Sequence, residues 1–131
     1  MESVPESHKD ILLGKNFAHV ATVMPNGNPQ VTPVWVDFDG TNVLFNTAEG
    51  RQKTRSLDRN GKVALSVTDS QNPYRYIQVR GTVVERTRDG ADAHIDKPAK
   101  KYMGVDSYPN RRADEQRVIY KIRPDHVQTM G

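Results

Sequence analysis

Apolar and polar residues alternate along most of this chain, and a period of two is typical of half-buried β-strands. Six runs carry the pattern: residues 17–24, 30–38, 42–47, 62–69, 75–87 and 117–130. The dipeptides Asn26-Gly27 and Asp39-Gly40 separate the first three runs and are typical of tight hairpin turns. We therefore predict an antiparallel meander of the first three strands. Strands joined mostly by short turns favour a mainly β fold, a small antiparallel barrel with a few short helices.

Two of these runs contain a residue that disturbs a regular strand. Pro33 interrupts the second run, and proline lacks the N–H group that a central strand donates. The second strand is therefore predicted to lie at a sheet edge, to be bulged or to be locally unpaired. Gly81 lies inside the fifth run, where we expect the long strand to bend.

A short helix is predicted near the N-terminus. Ser3 and Glu6 match the capping-box pattern, in which each residue satisfies a free N–H group of the first turn. Apolar residues then recur at helical spacing. The predicted helix runs from Pro5 to about Leu13 and ends at Gly14.

Helical turns are also predicted after the third strand and before the last one. Residues 50–60 are expected to form one or two turns, with Leu57 as the anchor into the core. Residues 91–96 and 97–104 read as two short helices, and Asp96 is a candidate cap for the second.

Length and composition narrow the class of protein. The 131 residues suit one domain, residues 1–131, in which 35% of residues are hydrophobic and 27% are charged. The absence of cysteine excludes disulfides and thiolate zinc sites and fits a cytoplasmic protein. No apolar run approaches the roughly 20 residues that span a bilayer. The polar N-terminus lacks a signal-peptide core, and no histidine cluster indicates a metal site.

The charge favours an anionic ligand. The formal net charge is +3 and the isoelectric point is about 9.3. Barrels that bind single-stranded nucleic acid interleave aromatic and basic residues on an exposed sheet. In this chain aromatic residues make up only 7%, and the cations cluster at one turn. We therefore expect no nucleic-acid partner.

The densest cluster of cations lies in NTAEGRQKTRSL, residues 46–57, where Arg51, Lys53 and Arg55 follow a predicted strand. The hydroxyl side chains among them are Thr47, Thr54 and Ser56. A strand that leads through a turn into a helix directs free N–H groups outward, and such groups attract anions. The segment is therefore interpreted as a phosphate pocket. The alternative is a basic helix face in solvent.

The second run, residues 30–38, suggests a place for a flat ring. Pro33 in mid-strand frees a neighbouring carbonyl group beside apolar side chains, and such groups can bind the edge of a heterocycle. The ring would then lie next to the phosphate pocket. The alternative is structural: Trp35 anchors the core and Pro33 protects a sheet edge.

Four segments together resemble a known family: PNGNPQVTPVWVDFDG, LFNTAEGRQKTRSL, KKYMGVDSYPNRR and RVIYKIRPDHV. They are similar to the flavin and deazaflavin oxidoreductases with a split β-barrel, the relatives of pyridoxamine 5′-phosphate oxidase. The branch that they resemble uses the 5-deazaflavin coenzyme F420. The resemblance implies a homodimer with two cofactor sites at the interface and a small-molecule substrate.

The resemblance also implies roles for particular residues. The strand beside the tricyclic ring corresponds to Thr32, Pro33, Val34 and Trp35, and the end of the third strand to Asn46, Thr47 and Ala48. The phosphate is held by residues that match Arg51, Lys53 and Thr54, while Arg55 matches a further basic position or points to solvent. The second subunit brings Tyr76 and Gln78, with Tyr74 as another candidate. No catalytic side chain and no metal are implied.

The implied reaction is hydride transfer from reduced F420 to an electron-poor C=C or C=N bond, because the cofactor carries the chemistry. Two alternatives remain: the same fold with FMN, and a protein that binds a cofactor without turnover. F420 has an oligoglutamate tail that needs further cations, for which the candidates are Arg55, Arg59, Lys100, Lys101, Arg111 and Arg112.

The histidines are scattered and suggest no catalytic arrangement. His19 alternates with Phe17 and Ala21, so it can face the barrel or the site; the alternative is a structural or exposed histidine. His8, His94 and His126 are assigned no role.

Overall fold

The computed structural model describes residues 1–131 as one seven-stranded antiparallel sheet with short helices. The strands are β1 (Ala18–Val23), β2 (Pro29–Val34), β3 (Asp37–Phe38), β4 (Val43–Ala48), β5 (Lys62–Asp69), β6 (Asn72–Thr87) and β7 (Arg117–Met130). The helices are α1 (Lys9–Leu13), α2 (Gln52–Arg59), α3 (Ala91–His94) and α4 (Asp96–Met103). The sheet order is β2-β1-β5-β6-β7-β4-β3. The predicted mainly β, antiparallel fold is confirmed.

The predicted meander of the first three strands is wrong. β1 and β2 form the expected hairpin, but residues 30–38 do not form one continuous strand. β2 ends at Val34, and the two residues of β3 pair with β4 at the opposite end of the sheet. β4 in turn pairs with β7, so the two halves of the predicted meander are separated by three other strands.

Side chains of α4 stabilise the break between β2 and β3. The Val36 N–H group donates to the Tyr102 hydroxyl at 3.1 Å, and the Lys101 ammonium donates to the Val36 carbonyl at 2.7 Å. The Tyr102 hydroxyl donates to the Asn16 carbonyl at 2.5 Å. These bonds replace the ladder that a continuous strand would provide. They come from residues about 65 positions away, so a local pattern does not reveal them.

The core lies on one face of the sheet. Alternate residues of β5 and β6 are buried, and eighteen buried apolar residues from ten elements and loops form one cluster. Phe45 and Tyr120 stack in it with ring centroids 5.5 Å apart. Leu57 of α2 is 3% exposed and joins the cluster, which confirms its predicted role as an anchor.

Pro33 and Gly81 occupy the special positions that the sequence predicts. β2 is an edge strand, so Pro33 removes no donor that a neighbouring strand needs. The β6–β7 register shifts between Arg80 and Gly81. A Cβ atom at Gly81 would lie 2.4 Å from the Arg123 carbonyl oxygen, so the two backbones approach too closely for a side chain.

Two predicted helix caps are wrong. The first residues of the N-terminal helix form a 3-10 turn, Glu6–His8, and no side chain caps it. Asp96 is the first residue of α4 and does not cap it. Its Oδ1 atom instead accepts hydrogen bonds from the Tyr108 N–H group and from Arg111. Asp96 thereby fixes the loop that joins α4 to β7. None of the helices is long and apolar enough to cross a membrane.

Candidate functional site

A cavity of about 400 Å³ lies between the end of β2, the end of β4, the start of α2 and the loop after α4. Eight of the predicted cofactor residues line it: Thr32, Pro33, Val34, Trp35, Asn46, Thr47, Arg51 and Lys53. Residues from two separate sequence segments, the interrupted strand and the basic turn, therefore meet at one place.

Lys53 is a buried cation without a partner. It is 7% exposed, and no hydrogen bond or ion pair engages its ammonium group. The nearest feature is the Phe45 ring, whose centroid is 6.0 Å from Nζ. Burial and, second, the charge of Arg51 lower the pKa of Lys53 to about 8. A buried charge that lacks a partner is costly, so an anion in the cavity would be stabilised.

Two arginines add charge to the same wall. Arg51 precedes α2, and its Nη2 atom lies 3.6 Å from Glu115 Oε2. Arg117 begins β7, is 8% exposed and donates to the other oxygen of Glu115 at 2.7 Å. One carboxylate therefore lies between two guanidinium groups. Because Lys53 has no carboxylate of its own, the wall keeps an excess of positive charge.

The first turn of α2 opens onto this wall. No side chain caps it, so its N–H groups lack the partner that a helix start usually obtains from a Ser, Thr or Asp. Thr54 does not provide one, because its hydroxyl donates to the Arg51 carbonyl at 2.6 Å. Uncapped N–H groups and buried ammonium together form a site suited to phosphate.

Two threonine hydroxyls on the cavity wall are unsatisfied. The Oγ1 atoms of Thr32 in β2 and Thr47 in β4 are buried and have no hydrogen-bond partner. An orphaned hydroxyl in a protein interior costs free energy. Each hydroxyl meets a polar ligand in the cavity only after its side chain rotates, because neither Oγ1 atom is itself exposed there.

Aromatic rings form the apolar wall. Trp35 stacks on Tyr102 with centroids 5.3 Å apart and an interplanar angle of 4°, and it meets Tyr108 edge-on at 6.0 Å. Phe17 stacks on Tyr102 at 5.5 Å and is 54% exposed. Burial raises the pKa of Tyr102 to about 12, and its hydroxyl bonds to backbone atoms. Tyr102 therefore holds Trp35 in place and remains neutral at physiological pH.

Asn46 lies between Arg117 and His94. Its Oδ1 atom accepts a hydrogen bond from Arg117 Nε at 2.7 Å. Its Nδ2 atom donates to the Ala91 carbonyl at 2.8 Å and lies 3.2 Å from His94 Nδ1. His94 Nε2 lies 3.3 Å from Asp37 Oδ2. Burial alone would raise the pKa of Asp37, but hydrogen bonds from His94, the Phe38 N–H group and Lys97 outweigh it and hold that pKa well below its usual range.

Five residues predicted to bind a cofactor do not line the cavity. Ala48 and Thr54 are buried next to it, and Arg55 is exposed and donates to the Gly50 carbonyl and to Gln52. Tyr76 and Gln78 lie on the outer face of the sheet with Tyr74, which is 77% exposed. Their roles depend on a second subunit and remain predictions.

Six further residues line the cavity: Phe17, Gln30, Gln52, Ile95, Tyr108 and Arg117. Arg117 faces it because Ala48 of β4 pairs with Arg117 of β7. Neighbouring Tyr108 has the Arg117 guanidinium 5.6 Å from its ring centroid. Gln30 precedes the predicted ring strand and Gln52 lies within the basic segment, so a site drawn as a contiguous stretch would have included both.

Most of the cations proposed for an oligoglutamate tail have partners within the chain. Lys101 donates inward to the Leu12 and Val36 carbonyls, and Arg59 donates to the Val23 carbonyl. Arg111 pairs with Asp96 and Arg112 with Asp114. Lys100 is exposed.

No group of three or more His, Cys, Asp or Glu side chains that could hold a metal ion is present. The cavity therefore combines cations, N–H groups, free hydroxyls and an aromatic wall. This donor set suits a flat, anionic organic ligand better than an ion alone.

Comparison with known proteins agrees with this picture. The structure of a protein named F420 reductase is 39% identical to this chain, with a TM-score of 0.85, and the match covers 95% of this chain and 98% of that one. HupZ from Group A Streptococcus (20% identity, TM-score 0.70, 96% and 93% covered) shares the fold. General Stress Protein 26 from Bacillus anthracis also shares the fold, with 19% identity and a TM-score of 0.70, and the match covers 95% of this chain and 92% of that one.

The family itself follows from the chain as a whole. A family model described as pyridoxamine 5'-phosphate oxidase matches residues 4–131, which includes the interrupted strand, the basic turn and β7. The resemblance seen in the sequence is confirmed, and with it the split-barrel fold. The chain belongs to the pyridoxamine 5'-phosphate oxidase family.

Proposed function

We propose that this protein is an oxidoreductase that binds coenzyme F420 in the 400 Å³ cavity and uses it to reduce an electron-poor C=C or C=N bond. The observation that carries the proposal is Lys53, a buried ammonium without a partner, beside an uncapped helix start. The named similarity to an F420 reductase at 39% identity supports the choice of cofactor.

The residues present fit the phosphate of such a cofactor. Lys53 supplies a compact charge, Arg51 supplies a planar pair of donors, and the first N–H groups of α2 point to the same region. The orphaned Thr47 hydroxyl, one residue before the end of β4, would gain a partner by turning toward a phosphate oxygen. An anion here would thus engage both the unpaired Lys53 ammonium and the Thr47 hydroxyl.

The strand end and the aromatic wall fit the ring system. Pro33 and Val34 provide an apolar edge, and the free Thr32 hydroxyl lies on the same strand. Trp35, held flat by Tyr102, closes one side and keeps water away. The deazaflavin, when bound, supplies the hydride. The task of the protein is then to orient the ring and to exclude solvent.

We propose that a second copy of the chain completes the site. On the outer face of the sheet, β1 and β5 present the small residues Ala21, Ala64 and Ser66, while Val31 is 61% exposed. Small side chains allow another sheet to approach closely. Tyr76 and Gln78 lie on this face and would reach the partner's cavity. The cysteine-free chain would act in the cytoplasm.

FMN is the second candidate cofactor. The cations available for the longer tail of F420 are largely occupied, since Arg111 and Arg112 pair with carboxylates and Lys101 points inward. The phosphate region would serve either cofactor. The sheet face and the cavity are the same in both cases, so only the chemistry differs.

The test is a titration of the purified protein with F420 and, separately, with FMN, followed by fluorescence. We expect saturable binding with preference for F420, and oxidation of reduced F420 in the presence of an enone or quinone acceptor. Preference for FMN would indicate that the protein uses a flavin instead of F420. Binding without turnover for any acceptor would favour a cofactor carrier, and binding of neither would overturn the proposal.

The dimer has its own test. We expect a mass near twice 14.8 kDa by sedimentation at micromolar concentration. Ala64→Arg on the outer face should give a folded monomer with weakened cofactor binding, because the partner's residues are then missing. A wild-type monomer that binds the cofactor tightly would overturn the shared site.

A further inference from the structure

A chain of polar contacts runs from the surface to the cavity wall. Lys97, whose side chain is 70% exposed, pairs with Asp37 Oδ2 at 3.1 Å. Asp37 contacts His94 and His94 contacts Asn46, at 3.3 and 3.2 Å. Asn46 accepts from Arg117 at 2.7 Å. The contacts connect α4, β3, α3, β4 and β7, and the last two residues line the cavity.

Within this series of contacts, Arg117 fixes the orientation of the Asn46 amide, and Asn46 in turn fixes the tautomer of His94. The Nε atom of Arg117 is always a donor, so the atom of Asn46 that faces it is the carbonyl oxygen. The Asn46 amide nitrogen therefore faces His94, and it also donates to the Ala91 carbonyl. Because that nitrogen is a donor, His94 Nδ1 must be an unprotonated acceptor. The proton of the neutral imidazole then lies on Nε2 and is donated to Asp37.

The environment of His94 is defined by four charged groups. Asp37 accepts from its Nε2 atom, and Lys97 and Lys101 of α4 are both close enough to affect the charge of that region. Arg117 lies beyond Asn46. A second proton on His94 would place it on Nδ1, where it would face the Asn46 amide hydrogens. The hydrogen bond would be lost, and the facing hydrogens would push Asn46 out of its position next to Arg117, against the bond that it keeps to the Ala91 carbonyl.

We propose that His94 is a positioning residue: in its neutral form it holds Asn46 and, through Asn46, Arg117 against the cavity, and its protonation loosens both and weakens ligand binding. This inference rests on the proposed function, since it assumes that the cavity binds an anionic cofactor. It assigns a role to α3, a four-residue helix that otherwise packs on α4 and β7. Acidification that protonates His94 should therefore lower affinity.

Two substitutions separate the functions of the two ring nitrogens. His94→Asn places an amide oxygen near the position of Nδ1, so it can accept from Asn46, but it cannot be protonated. His94→Gln places its amide near the position of Nε2, so it can donate to Asp37 but offers Asn46 no acceptor. If His94 only supported the fold, His94→Asn would not be expected to bind the cofactor more tightly than His94→Gln.

The experiment measures the affinity of both variants and the wild type for F420 and for FMN between pH 5 and 8. We expect roughly tenfold weaker binding for His94→Gln at every pH, as for loss of one hydrogen bond to a buried group. His94→Asn should bind within a few-fold of wild type at neutral pH. The wild-type affinity should fall relative to His94→Asn on acidification. Titration of the cofactor itself cancels in that ratio.

A second readout needs no cofactor. Long-range ¹H–¹⁵N NMR spectra of the free protein at neutral pH should show His94 protonated at Nε2 alone. A proton on Nδ1, or parallel pH profiles for wild type and His94→Asn, would overturn the inference while leaving the cofactor site intact. Failure of the wild type to bind either cofactor at any pH would overturn the proposed function and this inference together.

Discussion

Lys53 and Lys101 are two partly buried lysines with the same change in acidity and different surroundings. Burial lowers the pKa of each to about 8. Lys101 joins α4 to two other segments, because its ammonium donates to the Leu12 and Val36 carbonyls at 3.0 and 2.7 Å and lies 4.7 Å from the centroid of the Tyr102 ring. Lys53 has no such bonds and faces a cavity.

The difference shows that a lowered pKa does not by itself identify a binding site. Desolvation acts on both ammonium groups alike, whereas hydrogen-bond partners decide what each contributes. Lys101 stabilises the break between β2 and β3, on which the cavity depends. Lys53 is partly desolvated at the cavity wall without a protein partner, a cost that a bound anion would offset. Removal of the Lys101 charge should therefore lower mainly stability, whereas removal of the Lys53 charge should lower mainly cofactor affinity.

The largest expected effect is on cofactor affinity. Lys53→Met keeps the length and apolar stem of the side chain and removes the charge that we assign to the phosphate. Affinity should fall about 100-fold, the value of a lost hydrogen bond to a charged group. Lys101→Met is the matched control and should lose much less affinity than Lys53→Met, because it removes no charge from the cavity wall. Equal affinities of Lys53→Met and wild type by fluorescence titration would contradict the phosphate assignment.

The second effect is on stability. Lys101→Met removes two hydrogen bonds from a charged donor and leaves buried carbonyl groups poorly satisfied. The free energy of unfolding should fall by about 1–3 kcal/mol. In the same denaturant titrations Lys53→Met should be as stable as wild type or more so. Similar destabilisation by both substitutions would mean that the two lysines do not differ in kind.

The contrast between local and distant partners also explains which parts of the fold could be predicted from the sequence. Alternation of apolar and polar residues predicts β5 and β7 with the bounds that the structure has, because alternate residues are buried in β5 and in most of β7, although the first four residues of β7 are all buried. The meander is wrong because the break after Val34 depends on Lys101 and Tyr102, which are distant in sequence. Local patterns contain no information about such partners.

The residues of the site likewise fall into those that the sequence predicts and those that it does not. Arg51 and Lys53 could be predicted because they are close together in the chain and follow a strand. Arg117 and His94 could not, because they reach the cavity region only through the pairing of β4 with β7 and the packing of α3 on β7. A histidine that acts through an asparagine has no signature in spacing. The resemblance to a family indicated residues that contact the cofactor, but not the residues, such as His94, that hold the cavity wall in place.

The third effect is a pH dependence on the alkaline side. A bound phosphate should raise the pKa of Lys53 from about 8 in the free protein, whereas Lys101 keeps its partners and its pKa. Binding above pH 8 must then include uptake of a proton, so affinity should fall by up to tenfold per pH unit as the pH rises above about 8. Calorimetry in two buffers of different ionisation enthalpy measures that proton. Lys53→Met should show no uptake.

The smallest effect concerns the orphaned hydroxyls. Thr47→Val keeps the shape of the side chain and removes a buried hydroxyl that has no partner in the free protein. The variant should be more stable by about 1 kcal/mol, because the unsatisfied group is gone. Its affinity for the cofactor should fall about threefold to tenfold, because the bound phosphate or ring loses one hydrogen bond.

Thr22 provides the matched control for Thr47. Its hydroxyl is also buried and without a partner, and it lies in β1 away from the cavity. Thr22→Val should therefore show a similar gain in stability with no change in affinity. If both variants gain stability and both keep full affinity, the Thr47 hydroxyl is only a packing defect, and the cofactor is held by Lys53 and its neighbours alone. If only Thr47→Val weakens binding, an unsatisfied hydroxyl on a cavity wall distinguishes the site as reliably as an unpaired lysine.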